Sequence, residues 1–293
     1  MSITYQRLKR RTGRRFIFPT VFVLLSIVAF PLVFSFVVSF FRYTFINPGL
    51  NEFVGLDNFR TAMKNEYFWN SLFITIKFVV IVVTAEFLLG YVIALLINRE
   101  INFKFIFYFI LTIPMVMSPV AVALIWKMLL HPDLGIVNYA LQLIGLPTPN
   151  WFGDARMALI SLVLVDIWHQ VSFMVLMLLA GLTSLPKEPF ESARIDGANA
   201  LQTLVYITSP MLLPVISVAI LMRTIIAFRT YDLVYVLTRG GPGISTDIIS
   251  YYIYRTTFMG LDLSRATAIS FVLLIVVMLI VVVLFRQMIK DSK

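Results

Sequence analysis

The chain has 293 residues, of which 60% are hydrophobic and 13% charged, with a mean hydropathy of +0.91. A soluble domain is about 45–50% apolar and about 25% charged, so this balance excludes an ordinary soluble enzyme and predicts an all-α integral membrane protein. The absence of cysteine excludes disulfides and thiolate chemistry, and two histidines far apart in sequence, His131 and His169, argue against a histidine-rich metal centre.

A formal net charge of +9 on a soluble protein would raise the question of nucleic acid. Here it fits the basic bias of one membrane face, and no nucleic-acid partner is expected. A helix needs about 20 apolar residues to cross the hydrocarbon, and six stretches qualify: 16–41, 71–97, 105–130, 157–180, 209–230 and 264–285. The basic run RLKRRTGRR lies in segment 1–15, ahead of the first span. That span is far longer than the apolar part of a signal peptide (about 7–15 residues) and no A-x-A site follows, so it reads as an uncleaved anchor. Alternating sides along the chain place thirteen Lys and Arg with the termini, 98–104 and 181–208. Seven fall with the loops on the other side. Both termini are therefore expected in the cytoplasm.

Apart from Arg265 at the edge of the last span, six Lys, Arg, Asp and Glu residues fall inside the spans. Lys77, Lys127 and Arg229 lie near helix ends, where snorkelling to the interface would account for each. Arg223 and Asp166 each sit about 13 Å deep at 1.5 Å per residue. They read either as a buried pair, with Glu86 competing for the arginine, or as part of a polar path. Helical spacing puts Asp166, Gln170 and Phe173 on one face of the fourth span, and Arg223, Ala227 and Thr230 on one face of the fifth. Trp168, Phe173 and Tyr231 serve equally as packing aromatics or as stacking surfaces for sugar rings. The cationic excess within the spans would favour an acidic cargo, through guanidinium–carboxylate pairing, although arginine also suits a phosphate ester.

Segment 181–208 is polar and, by this topology, cytoplasmic. Pro186 and Pro189 can open a helix, and Glu188 and Glu191 suit the positive end of its dipole. The residues by themselves leave a solvated loop with an interfacial helix and a partner-docking helix both open. GGPGIST (240–246) lacks the lysine of a phosphate-cradling loop and reads as a turn, so no ATP site is expected in this chain.

The spacing Glu191-Ser192-Ala193, three residues, Gly197, nine residues, Ile207, then Pro210 resembles the signature loop of permease subunits of bacterial ABC importers. FVGLDNF (53–59), LAGLTSLPKEPFESARIDGA (179–198) and LTRGGPGISTD (237–247) are similar to the carbohydrate branch of that family, to the compact six-span form of the larger maltose-type permease. Ser192 and Ser209 depart from the usual Ala and Leu. The resemblance implies a type I importer permease fold, 16–293 as one transmembrane domain, and 181–208 as a coupling loop docking on an ATPase through Glu188, Glu191, Ser192, Ala193, Asp196 and Gly197, with Ile207 and Pro210 setting the entry to the fifth span. It also implies an oligosaccharide path through Asp166, Gln170, Phe173, Arg223, Ala227, Arg229, Thr230 and Tyr231. The implied partners are a second homologous permease, two ATPases that bind ATP and Mg, and an extracytoplasmic sugar-binding protein. A stand-alone transporter would instead predict an inverted repeat with broken helices, and no repeat is seen. A membrane-embedded enzyme would need paired-acid or His-rich spacing, also not seen.

Overall fold

The structure, a computed structural model, describes residues 3–99 and 103–291, with side chains described from 17 to 286. Of the expected cytoplasmic segments, residues 100–102 of 98–104 and the last two residues of 286–293 lie outside the described residues. Among the described residues the chain is helical, and no strand forms beyond two isolated bridges. It divides into two compact units, residues 1–65 with 253–272 and residues 66–252 with 273–293.

In the first unit, α1 (Ile3–Val38) runs unbroken from the basic segment into the first span. Its apolar part, Ile17–Val38, is almost wholly exposed, as suits a surface that meets lipid or another subunit. The FVGLDNF motif closes this unit locally. The Phe53 ring packs edge-on against Phe41 at 5.3 Å, and Asn58 Nδ2 donates to the carbonyls of Ser39 and Phe41, both at 2.8 Å. Asn58 thereby satisfies carbonyls that the end of α1 leaves without helical partners. It lies in the first turn of α2 (Asp57–Lys64).

The second unit is built on α3 (Glu66–Asn98). Next come α4 (Lys104–Val116), α5 (Pro119–Leu129), the short α6 (Ile136–Leu143) and α7 (Ala155–Ser184). α7 starts on a side-chain cap: Asp154 Oδ1 accepts from the backbone N–H of Arg156 and Met157 at 2.9 Å. The third span departs from the continuous helix expected over 105–130. α4 and α5 meet at a 99° bend. Pro119 has no N–H and drives the residue before it out of the helical region, and Ser118 is extended at φ −61°, ψ 135°. Among the described residues five helices are long and apolar enough to cross a membrane, and six spans result if the bent pair counts as one.

After α7 come α8 (Glu188–Ile195) and α9 (Ala200–Thr203). One π-helical turn, Leu204–Thr208, then leads into α10 (Ser209–Phe228). Pro210 cannot donate to the preceding turn, and the widened turn falls directly ahead of it. There the Thr208 and Ser209 hydroxyls donate to the Thr203 and Leu204 carbonyls at 3.2 and 2.8 Å. α11 (Asp232–Leu237) and α12 (Ile249–Tyr254) follow, and α13 (Leu263–Asp291) is the last helix. The glycine-rich stretch between α11 and α12 is a turn: Gly240 and Gly243 hold φ of +81° and +59°, and Thr246 Oγ1 donates to the Gly241 carbonyl at 2.8 Å.

The core of this unit lies where α3, α7 and α10 meet, around Ala94, Met174, Leu178, Leu212 and Ala219. Two glycines permit the close approach. A Cβ on Gly90 would sit 2.8 Å from Met174 Cγ, and one on Gly181 would sit 2.7 Å from Leu212 Cδ1. Without a hydrophobic force between helices in lipid, such van der Waals contact at small residues is what holds the spans together.

Candidate functional site

α3, α7 and α10 each bring one ionisable residue to a common buried point. Arg223 and Glu86 are fully buried and Asp166 is 2% exposed. Arg223 Nη2 donates to Glu86 Oε1 at 2.8 Å; its Nε also contacts Glu86, and Nη2 contacts Asp166. Of the two readings the residues allowed, pairing is the one this conformation adopts, and both acids share the arginine. A lone ion here would be very costly, and a bidentate contact gives the guanidinium its best geometry. Arg223 Nη1 has no hydrogen-bond partner among the described residues.

One turn further along the same face of α7, His169 joins the broken span to the bundle. Its Nε2 lies 3.3 Å from the Met117 carbonyl and its Nδ1 lies 3.1 Å from Gln170 Nε2. The arrangement is satisfied by the neutral ring with its proton on Nε2: Gln170 donates to Nδ1, and Nε2 donates to the carbonyl that the α4–α5 break frees from helical bonding. His169 was not singled out as a site residue from the sequence. Its position three residues after Asp166 was the available signal.

Beside this cluster opens a cavity of about 180 Å³, lined by Asp166, His169 and Gln170 from α7, Pro119 from α5, and Arg229, Thr230, Tyr231 and Asp232 where α10 ends and α11 begins. Five of the eight residues expected along a path therefore share one space. Arg223, Ala227 and Phe173 do not line it, and the first two are buried. Sequence periodicity did not find Pro119 or Asp232, because they reach the cavity through a helix break and a helix junction. Arg229 has no ion-pair or side-chain hydrogen-bond partner among the described residues. Lys127 Nζ donates to the Val236 carbonyl at 2.7 Å. Among the aromatics, Trp168 packs edge-on against Trp126 at 5.6 Å, and Tyr231 stacks with Tyr235 at 5.6 Å.

At the other end of α7 lies the polar loop. Pro189 sits in the first turn of α8 with Glu188 and Glu191. The helix stops in a Schellman arrangement: Gly197 takes φ +75°, its N–H donates to the Arg194 carbonyl at 3.3 Å, and the Ala198 N–H donates to the Ala193 carbonyl at 2.9 Å. Asn199 and Gln202 then form a reciprocal capping box that starts α9. Glu188, Glu191, Ser192, Asp196 and Gly197 are exposed, whereas Ala193 is buried and holds the helix against its own chain. Ile195, left out of the expected docking set, is 87% exposed. Ile207 lies in the π-helical turn and Pro210 in the first turn of α10.

Residues 86–291 match the family model described as binding-protein-dependent transport system inner membrane component. The chain is 34% identical over 277 residues to a trehalose/maltose transport system permease protein of Thermococcus litoralis, covering 94% of this chain and 93% of that one. It is 32% identical over 268 residues to a sulfoquinovosyl glycerol transport system permease protein of Agrobacterium fabrum, covering 92% and 87%. The fold superposes along the full length of both chains, with a TM-score of 0.86 at 24% identity, on a solved bacterial ABC transporter involved in import of the acidic polysaccharide alginate. With apolar helices enough for a multi-pass protein, a type I permease fold and a family match over most of its length, the chain belongs to the inner membrane components of binding-protein-dependent ABC transport systems.

Proposed function

We propose that this chain forms half of the translocation path for an oligosaccharide in an ATP-driven importer, working by alternating access. The observation that carries the reading is the cavity beside the Arg223 cluster. It offers an amide, a hydroxyl, carboxylates and a guanidinium, between a broken span and a helix junction that can change angle without unfolding a helix. The relatives named for trehalose/maltose and for sulfoquinovosyl glycerol support a sugar cargo.

In this reading both termini and the loop 181–208 face the cytoplasm. There α8 docks on an ATPase through Glu188, Glu191, Ser192, Asp196 and Gly197, joined by the exposed Ile195, while Ala193 anchors the helix from within. A short helix held between α7 and α10 transmits closure of the ATPases as a rigid-body movement. The chain itself binds no cofactor. Two ATPase partners hold ATP and Mg, a second homologous permease completes the path, and an extracytoplasmic binding protein delivers the sugar.

The finer cargo we propose is an acidic oligosaccharide held at Arg229. Arg223 is occupied by two carboxylates and Lys127 by a backbone carbonyl, which leaves Arg229 as the unpaired cation of the cavity. Substrate-stimulated ATPase activity of the reconstituted transporter across neutral sugars, oligouronides and glycerol phosphate esters tests both levels. Stimulation by oligosaccharides supports the first level, and selective loss of the uronide response in Arg229→Gln supports the second. A response to glycerol phosphate alone would replace the sugar reading.

A further inference from the structure

Away from the cavity just described, α3 and α7 enclose a second and larger groove of about 510 Å³ near their N-terminal ends. Its walls come from one face of each helix. Asn70, Phe73 and Lys77 follow helical spacing on α3, and Arg156, Ile160 and Leu164 do so on α7. Two cations thus face one space lined by no acidic residue. Neither the Lys77 ammonium nor the Arg156 guanidinium has an ion-pair or hydrogen-bond partner among the described residues. Ser245 closes the polar end, and its hydroxyl is buried without a partner. The remaining wall is apolar, and Phe73 is largely exposed to the surroundings.

We propose that this groove is a binding site for a membrane phospholipid with an anionic headgroup. Its polarity is graded as such a ligand is graded. Arg156 in the first turn of α7, Asn70 in the second turn of α3 and Ser245 form one end, the end nearer the headgroup layer, with the Asn70 amide held by the Ile244 carbonyl at 3.2 Å. Lys77 lies two turns deeper than Asn70, and its stem carries the ammonium back toward that end. Beyond it, Ile160 and Leu164 offer an apolar channel for an acyl chain. A lone snorkelling lysine would need none of this. The convergence of two unpaired cations, an unsatisfied hydroxyl and an apolar channel calls for a phosphate on a hydrocarbon chain, and the bilayer supplies it. The site is independent of the cargo cavity and of the reading proposed for it.

The chain has no cysteine, which makes the test direct. The transporter complex containing the full chain is purified in nanodiscs of mixed phosphatidylglycerol and phosphatidylcholine, and retained lipid is read by native mass spectrometry. Phosphatidylglycerol retention is expected to fall about fivefold in Lys77→Gln or Arg156→Gln and roughly thirtyfold in the pair. Lys64→Gln, which removes an exposed cation at the end of α2, is expected to retain it. Ile160→Trp keeps both charges and fills the apolar part, and it is expected to lower retention as well. Equal retention in the double variant would overturn the site. So would an Ile160→Trp variant that binds as wild type, because bulk charge attraction would then suffice. A photo-crosslinker on Ile160→Cys that captures another polypeptide instead of lipid would overturn it too, making the groove a protein interface.

Discussion

Arg223 Nη2 on α10 donates to Glu86 Oε1 on α3 at 2.8 Å, inside a bundle where neither side chain meets solvent. The same guanidinium holds Asp166 on α7, so one arginine ties together the three helices that form the core. Removing one partner of a buried pair leaves a charge with no compensation, at a cost of about 3–5 kcal/mol. Arg223→Ala is therefore expected to lower thermal stability of the detergent-purified protein strongly, because two carboxylates then face each other, and Glu86→Ala by less, because Asp166 still holds the guanidinium. The variant Glu86→Leu/Asp166→Leu/Arg223→Met should recover much of the loss. If Arg223→Ala melts as wild type, the cluster is not a structural tie.

His169 supports the broken span from the opposite helix, through its contact with the Met117 carbonyl. His169→Ala leaves that part-buried carbonyl without its donor, at a cost of about 1 kcal/mol. His169→Asn, a shorter donor, is expected to restore part of the stability. A melting series on the two variants checks the order.

Gly90 and Gly181 are set by contact and not by backbone conformation. A Cβ at Gly90 meets Met174 Cγ at 2.8 Å and the Val175 backbone nitrogen at 3.3 Å, and the backbone cannot move aside cheaply. Gly90→Val and Gly181→Val are expected to destabilise the α3–α7 and α7–α10 contacts by about 1–3 kcal/mol each. Folded yield in detergent should fall in that measure, while Gly145→Ala, where no atom lies within 4 Å, should cost only backbone strain.

Gly197 behaves in the opposite way. Space around it is open, but φ is +75°, a region that costs an ordinary L-residue about 1–2 kcal/mol. Gly197→Asn is expected to be tolerated and Gly197→Val to unwind the end of α8. If α8 is the docking helix, the valine variant should lose substrate-stimulated ATPase activity with its melting temperature nearly unchanged, and the asparagine variant should keep the activity.

Most of the helical plan could be read from the residues, because runs of about 20 apolar residues admit few alternatives. α8 was legible for the same local reasons: prolines at its start, acids in its first turn and a glycine past its end. The third span was the exception. Its apolar run is continuous, and only the backbone limits around Pro119 turn it into two helices at 99°. The cavity was half legible, since Asp166 and Gln170 follow α7 periodicity, whereas Pro119 and Asp232 arrive through breaks that no periodicity describes.

The sequence by itself determined a multi-pass helical membrane protein with a polar loop shaped for docking, since hydrophobic length, charge bias and capping chemistry are local quantities. Only the tertiary structure decided where the intramembrane charges go. From the sequence, Arg223 was open to a carboxylate of the cargo or of its own chain. The packing of α3, α7 and α10 brought Glu86 and Asp166 within its reach, and in a medium that solvates no bare ion the nearest carboxylates take the guanidinium. That pairing leaves Arg229 to face the cavity, and leaves Lys77 and Arg156 to a separate groove.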